Sequence, residues 1–172
     1  MATNLQFINQ TTASSVVSLD VTGVFTAEYD VYQVHISLDT DSAGYFEIRL
    51  LQADDSLANE SKYDIASLDL KSNTSFAEYK FTDQNGGVGW RGIGGYVDDG
   101  DGYGITLNIF NPFADDTYTF GQAQSGSTSG GSLFGTKAIG IYKSTQSIGG
   151  YRVICSGNPT QNYIIATTYG VK

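Results

Sequence analysis

Along "VYQVHISL" (31–38) the chain alternates: Tyr32, Val34, Ile36 and Leu38 fall on one side of an extended backbone, and Gln33, His35 and Ser37 on the other. A period of two with one apolar side predicts a half-buried antiparallel strand. The turn-forming cluster "DTDSAG" follows, and then "YFEIRLLQ", in which Phe46, Ile48 and Leu50 alternate with Glu47 and Arg49, so the pair reads as a hairpin. Further strands are predicted at "SSVVSLDV", "YDIASLDL", "FAEYKF", "GITLNIF", "TYTFGQA", "TKAIGIYK", "GYRVICS" and "NYIIATTYGV". No segment sustains the i, i+3, i+4 apolar spacing of a helix over three turns. About ten short strands without helical crossovers predict an all-β fold, an antiparallel, jelly-roll-like β-sandwich, with residues 1–172 forming a single domain. Two glycine-rich stretches, "NGGVGWRGIGG" (85–95) and "GQAQSGSTSGGSLFG" (121–135), read as long loops at the ends of that sandwich.

Composition narrows the function classes. The 172 residues are 40% hydrophobic and 13% aromatic, which suits one folded domain rather than a disordered chain. The net charge is −9, and the nine basic residues are scattered singly, so neutralising a phosphate backbone is not expected and nucleic acid is excluded as a partner. The one cysteine, Cys155, rules out an intrachain disulfide, and alternation places it with Tyr151 and Val153 as a buried thiol. A nucleophilic cysteine needs a histidine beside it, and the only one is His35. "MATNLQFINQTTASSVV" has neither a basic start followed by an apolar run nor a stretch long enough to cross a bilayer, so synthesis in a cytoplasm without a signal peptide and without membrane insertion is expected.

Little else resembles chemistry. "YVDDGDGYGITLNIFNP" (96–112) invites comparison with a calcium loop, but counting from Asp99 puts Tyr103 at the fifth position and Phe110 where the bidentate glutamate belongs. Asp-Gly is favoured in tight hairpin turns because glycine accepts positive φ, so a turn is expected, with a weak surface Ca²⁺ at Asp98, Asp99 and Asp101 as the alternative and no cofactor otherwise. Trp90 and Arg91 sit within a glycine-rich stretch, with Tyr96 and Tyr103 near in sequence. Loop aromatics beside a guanidinium stack on sugar rings or fill a partner's pocket, so these four are the candidate glycan- or partner-binding residues; the competing reading has Trp90 plugging the end of the core. The chain contains no G-x-S-x-G elbow, and nothing in the spacing of its acids singles out a catalytic pair.

The phrases "MATNLQFI", "SLDVTGVFTAEYDVYQVHIS", "LDLKSNTSFAEYK", "IFNPFADDTYTF", "KAIGIYKSTQSIGGYRV" and "TYGVK" resemble small virion structural proteins of tailed phages of marine and freshwater bacteria, including cyanophages. The resemblance implies a jelly-roll-like sandwich on the outside of a phage particle, made in the host bacterial cytoplasm and without enzymatic activity. It carries over no site residues. Lacking an elongated shaft, a single compact domain fits capsid decoration, or cement, more readily than a tail fibre. The partners expected are other virion proteins and further copies of the chain, such as a trimer, with host glycan as the partner in the alternative, a tail-associated receptor-binding module.

Overall fold

The computed structural model describes residues 4–58, 61–72, 76–82, 89–100, 102–129 and 131–172. They form twelve strands: β1 Leu5–Ala13, β2 Ser18–Val21, β3 Val31–Thr40, β4 Gly44–Gln52, β5 Tyr63–Lys71, β6 Ala77–Phe81, β7 Trp90–Val97, β8 Tyr103–Phe110, β9 Thr119–Ser129, β10 Ser132–Tyr142, β11 Ile148–Cys155 and β12 Gln161–Val171. No helix occurs among the described residues. A large sheet has the order β1-β12-β3-β8-β9-β10-β5-β6 and a small one the order β2-β11-β4-β7. Every ladder between strands is antiparallel. The molecule is an all-β, jelly-roll-like sandwich.

Alternation explains which face is buried. Tyr32, Val34, Ile36 and Leu38 of β3 point into one core cluster, together with Ile105, Leu107 and Ile109 of β8 and Ile164 and Ala166 of β12 from the same sheet. Phe46, Ile48 and Leu50 of β4 and Tyr151, Val153 and Cys155 of β11 come from the small sheet. Side chains from two facing sheets fill a slab about 10 Å thick, and their removal from water drives the layers together.

Two hairpin expectations are corrected. β3 and β4 do not pair: β3 lies between β12 and β8, and β4 between β11 and β7, so residues 41–43 carry the chain from one sheet to the other. The Asp-Gly stretch after β7 is likewise a crossing between sheets, since β7 belongs to the small sheet and β8 to the large one. An apolar side is buried equally well by a strand alongside or by one opposite, so periodicity alone does not distinguish the two.

The glycine-rich stretches are corrected as well. Residues 119–142 form a long hairpin in register from Ser132↔Ser129 to Tyr142↔Thr119, and Gly131 takes φ +77° at its tight connection. Of "NGGVGWRGIGG", residues 85–88 lie outside the described residues, and Trp90–Val97 is strand. Gly92 and Gly95 adopt φ +81° and +79°, beside a register break between the Tyr45↔Tyr96 and Glu47↔Arg91 pairs. Glycine is what allows β7 to bulge there.

Trp90 explains two further glycines. Its indole, 0% exposed, lies across Gly121 and Gly140, which are register partners in the β9–β10 hairpin. A Cβ on Gly121 would sit 2.9 Å from Trp90 Cζ3, and one on Gly140 would sit 2.8 Å from Trp90 Cδ1. The pair therefore forms a trough that admits the largest side chain of the opposite sheet, and Tyr63 meets its ring edge-on at 6.2 Å.

Candidate functional site

The outer face of the large sheet follows from the register. The residues that alternate with the core positions line up strand to strand, so one row reads Glu78, Leu68, Lys137, Gln124, Thr106, His35, Thr167 and Gln10. The row beside it reads Lys80, Ala66, Ile139, Gln122, Asn108, Gln33, Tyr169 and Phe7. Strand twist makes such a face concave. A groove of about 1230 Å³ runs along it over β6, β5, β10, β9 and β8. A second hollow of about 380 Å³ continues it over β3 and β12, and the two share Thr106 and Gln124.

The lining is amide- and hydroxyl-rich. His35 Nε2 donates to Gln33 Oε1 at 3.0 Å, and Gln33 Nε2 donates to Asn108 Oδ1 at 3.2 Å, so Gln33, beside the groove, links two side chains of its lining. Gln10 Nε2 donates to Thr167 Oγ1 at 3.1 Å at the β1 end. On the same face the ring of Tyr169 lies 5.6 Å from that of His35 and 6.1 Å from that of Phe7. At the other end Ile139 is 62% exposed, an apolar platform between Lys137 and Gln122. The charged residues among the described lining are Lys80, Lys137 and Glu78, so the groove itself carries a slight positive excess on a chain of net charge −9.

The structure divides the four residues predicted as a binding site. Trp90 and Tyr103 belong to the core, which corrects the expectation that their rings meet a ligand. Tyr103 stacks on Phe46 at 5.2 Å and donates its hydroxyl to the carbonyl of Gly94 at 2.8 Å, and burial raises its pKa well above the ordinary tyrosine value. The reason is the strand itself: Trp90 opens β7 facing inward, and Tyr103 opens β8 on the same side as Ile105. Arg91 and Tyr96 stay at the surface and meet through Tyr45, whose ring centroid is 5.8 Å from the Arg91 guanidinium and 5.4 Å from Tyr96. Arg91 and Tyr45 border a small pocket of about 220 Å³ at the open edge of the sandwich, with Asp69, Tyr79 and Phe81.

The acidic stretch holds a backbone crossing. Asp99 N–H donates to Asp98 Oδ1 at 3.1 Å, Gly100 N–H donates to the Thr40 carbonyl at 3.2 Å, and Gly100 and Gly102 take φ +68° and +65°. Asp101 lies outside the described residues. Among the described residues no group of three or more His, Cys, Asp or Glu is disposed to hold a metal ion. Cys155 is fully buried, and burial, with the nearby Glu47, pushes its thiol up to about 12. It faces the core from the small sheet, whereas His35 lies on the outer face of the large one, so the two form no catalytic pair.

Sequence reasoning missed most of the groove. Gln33 and His35 were legible as the polar side of one strand, but Thr106, Asn108, Gln122, Gln124 and Lys137 were not connected to them. The available signal was "GQAQSGS", in which small residues alternate with glutamines at period two.

No protein-family model matches the chain, and no curated protein matches it. Among solved structures it is similar to the marine PL-14 alginate lyase from Aplysia kurodai, at 9% identity over 87% of this chain and 72% of that one, with a TM-score of 0.36. It is also similar to the catalytic domain of PdAgaC, at 10% identity over 99% of this chain and 77% of that one, with a TM-score of 0.25. At these scores and identities no activity or substrate passes from those proteins to this chain.

Proposed function

We propose that this chain is a noncatalytic glycan-binding module whose site is the outer face of the large sheet. The observation that carries this reading is the continuous polar ladder, Asn108–Gln122 beside His35–Thr106–Gln124–Lys137, along a groove long enough for an extended ligand. Side-chain amides and hydroxyls both donate and accept, as a sugar hydroxyl does, and each contact exchanges hydrogen bonds with water for modest net gain. Affinity then comes from many such contacts along a polymer. The two lysines favour a neutral or acidic polysaccharide over a basic one. In the setting that the sequence resemblance implies, the module sits on the surface of a phage particle and engages the host's surface glycan as part of the tail.

The second reading, capsid decoration, is supported by a different feature. Phe7 on β1 is 60% exposed and Phe76, beside β6 at the opposite end of the large sheet, is 69% exposed, apolar side chains at both edges that would suit contact with other virion proteins.

The test is calorimetric titration against a panel of neutral, uronate-bearing and sulfated polysaccharides. Binding to at least one of them, weakened about fivefold to tenfold in each of Gln124→Ala and Lys137→Ala, is the expected result. No binding across the panel, or depolymerisation of a bound polysaccharide that a single carboxylate substitution abolishes, would overturn the reading.

A further inference from the structure

Strand β6, Ala77–Phe81, closes one end of the large sheet: it pairs with β5 on one side, and no described strand borders its other side. Its register with β5 assigns its faces. Glu78 and Lys80 stand opposite Leu68 and Ala66 on the outer, groove face, whereas Tyr79 stands opposite Ser67 and Phe81 opposite Ile65 on the inner side. All four of these side chains are exposed, and among the described residues neither charge has an ion-pair partner. An exposed edge with unpaired amides and carbonyls is a template for another strand, and proteins commonly guard it with a lone lysine. Here the lysine has a glutamate two residues before it, and that changes what the edge accepts.

We infer that β6 is a self-complementary edge, and that two copies of this chain associate by antiparallel pairing of β6 with β6 about a two-fold axis through Tyr79. With that axis perpendicular to the sheet, the outer faces of both copies lie on the same side, so directly opposed residues must share a face. Centring the pair on Glu78 sets glutamate against glutamate, and centring it on Lys80 sets lysine against lysine. Centring on Tyr79 sets Glu78 of each copy opposite Lys80 of the other, twice by symmetry, and sets Phe81 opposite Ala77. Opposite charges directly across an antiparallel pair are favourable and like charges unfavourable, so charge alone selects this register. The product is one sheet running through both copies. Because Glu78 and Lys80 line the groove on the outer face, it joins the two grooves across the two-fold axis.

A contact made by one short strand is small, so the association belongs in the micromolar to millimolar range. Sedimentation velocity on the purified chain, from about 10 µM to about 1 mM and without polysaccharide, reads it directly. The expected result is a monomer–dimer equilibrium. Glu78→Lys alone and Lys80→Glu alone each weaken association on the order of tenfold or more, because both symmetric pairs become repulsive, and the double exchange Glu78→Lys with Lys80→Glu restores it. Both side chains are exposed, so the variants fold, and circular dichroism checks this. A wild type that stays monomeric throughout, single reversals that leave the dimer intact, or a double exchange that fails to restore it would each overturn the inference. The outcome does not depend on any glycan, so it is distinguishable from failure of the binding reading.

Discussion

The two faces of the β9–β10 hairpin are built from alternate residues of the same strands and have opposite requirements. Facing the core, Gly121, Ala123, Ala138 and Gly140 are small, because Trp90 from the opposite sheet lies against the two glycines. Facing outward, Gln122, Gln124, Lys137 and Ile139 are long and exposed. A one-residue slip of either strand would exchange the sets, leaving amides against the indole and glycines in the groove. Trp90 therefore fixes the register that assembles the groove, although it touches the opposite side of the hairpin.

The comparison breaks most severely at Trp90. Trp90→Ala leaves a cavity over the glycine trough and is expected to cost about 3–5 kcal/mol, measured as a lowered denaturant midpoint. Gly140→Val attacks the same contact from the other side. Its Cβ would meet Trp90 Cδ1 at 2.8 Å, and overpacking of this kind costs about 1–3 kcal/mol. Gly126→Ala sharpens the contrast: nothing lies within 4 Å of the added Cβ on the outer face, and a melting temperature within experimental error of wild type is expected.

Cys155 supplies a pH test of the inner face. Below the ordinary thiol value of 9.0 the group is protonated in both folded and unfolded chains, and its contribution to stability is complete. Above that value the unfolded chain releases the proton while the folded chain holds it up to about 12, so stability falls as pH rises through this window. The slope approaches about 1.4 kcal/mol per pH unit for the one group, and urea midpoints between pH 8 and about 11 should fall less steeply in Cys155→Ala. The smallest effect belongs to the outer face, where Gln124→Ala is expected to leave stability unchanged within about 0.5 kcal/mol while weakening polysaccharide binding.

Much of the fold was legible because apolar alternation is a strong signal. β3, β4, β8 and β12 carry β-branched and aromatic residues at every second position, and the sandwich follows from them. The open ends of β9 and β10 were legible as strands, but the half of the hairpin nearest its turn was read as loop, because "QSGSTSGGS" is small and polar and carries no apolar alternation. β1, with its mixed polar sequence and exposed edge, was missed for a related reason. The groove needed strand order as well: β3 and β8 are distant in sequence and adjacent in space, and only their pairing places Gln33 beside Asn108. Trp90 is the only tryptophan and lies in a glycine-rich stretch, but it is two glycines of the other such stretch and its hairpin partner strand, Gly121 and Gly140, that make room for it in the core.

The most direct measurement is nuclear magnetic resonance with side-chain amides as reporters. Titrating a polysaccharide that binds is predicted to shift the NH₂ signals of Gln33, Asn108, Gln122 and Gln124 together, with backbone signals of β2 and β11 unmoved. Shifts confined to Tyr45, Arg91 and Tyr96 at the sandwich edge, with the four amides unchanged, would contradict the assignment of the groove as the binding site.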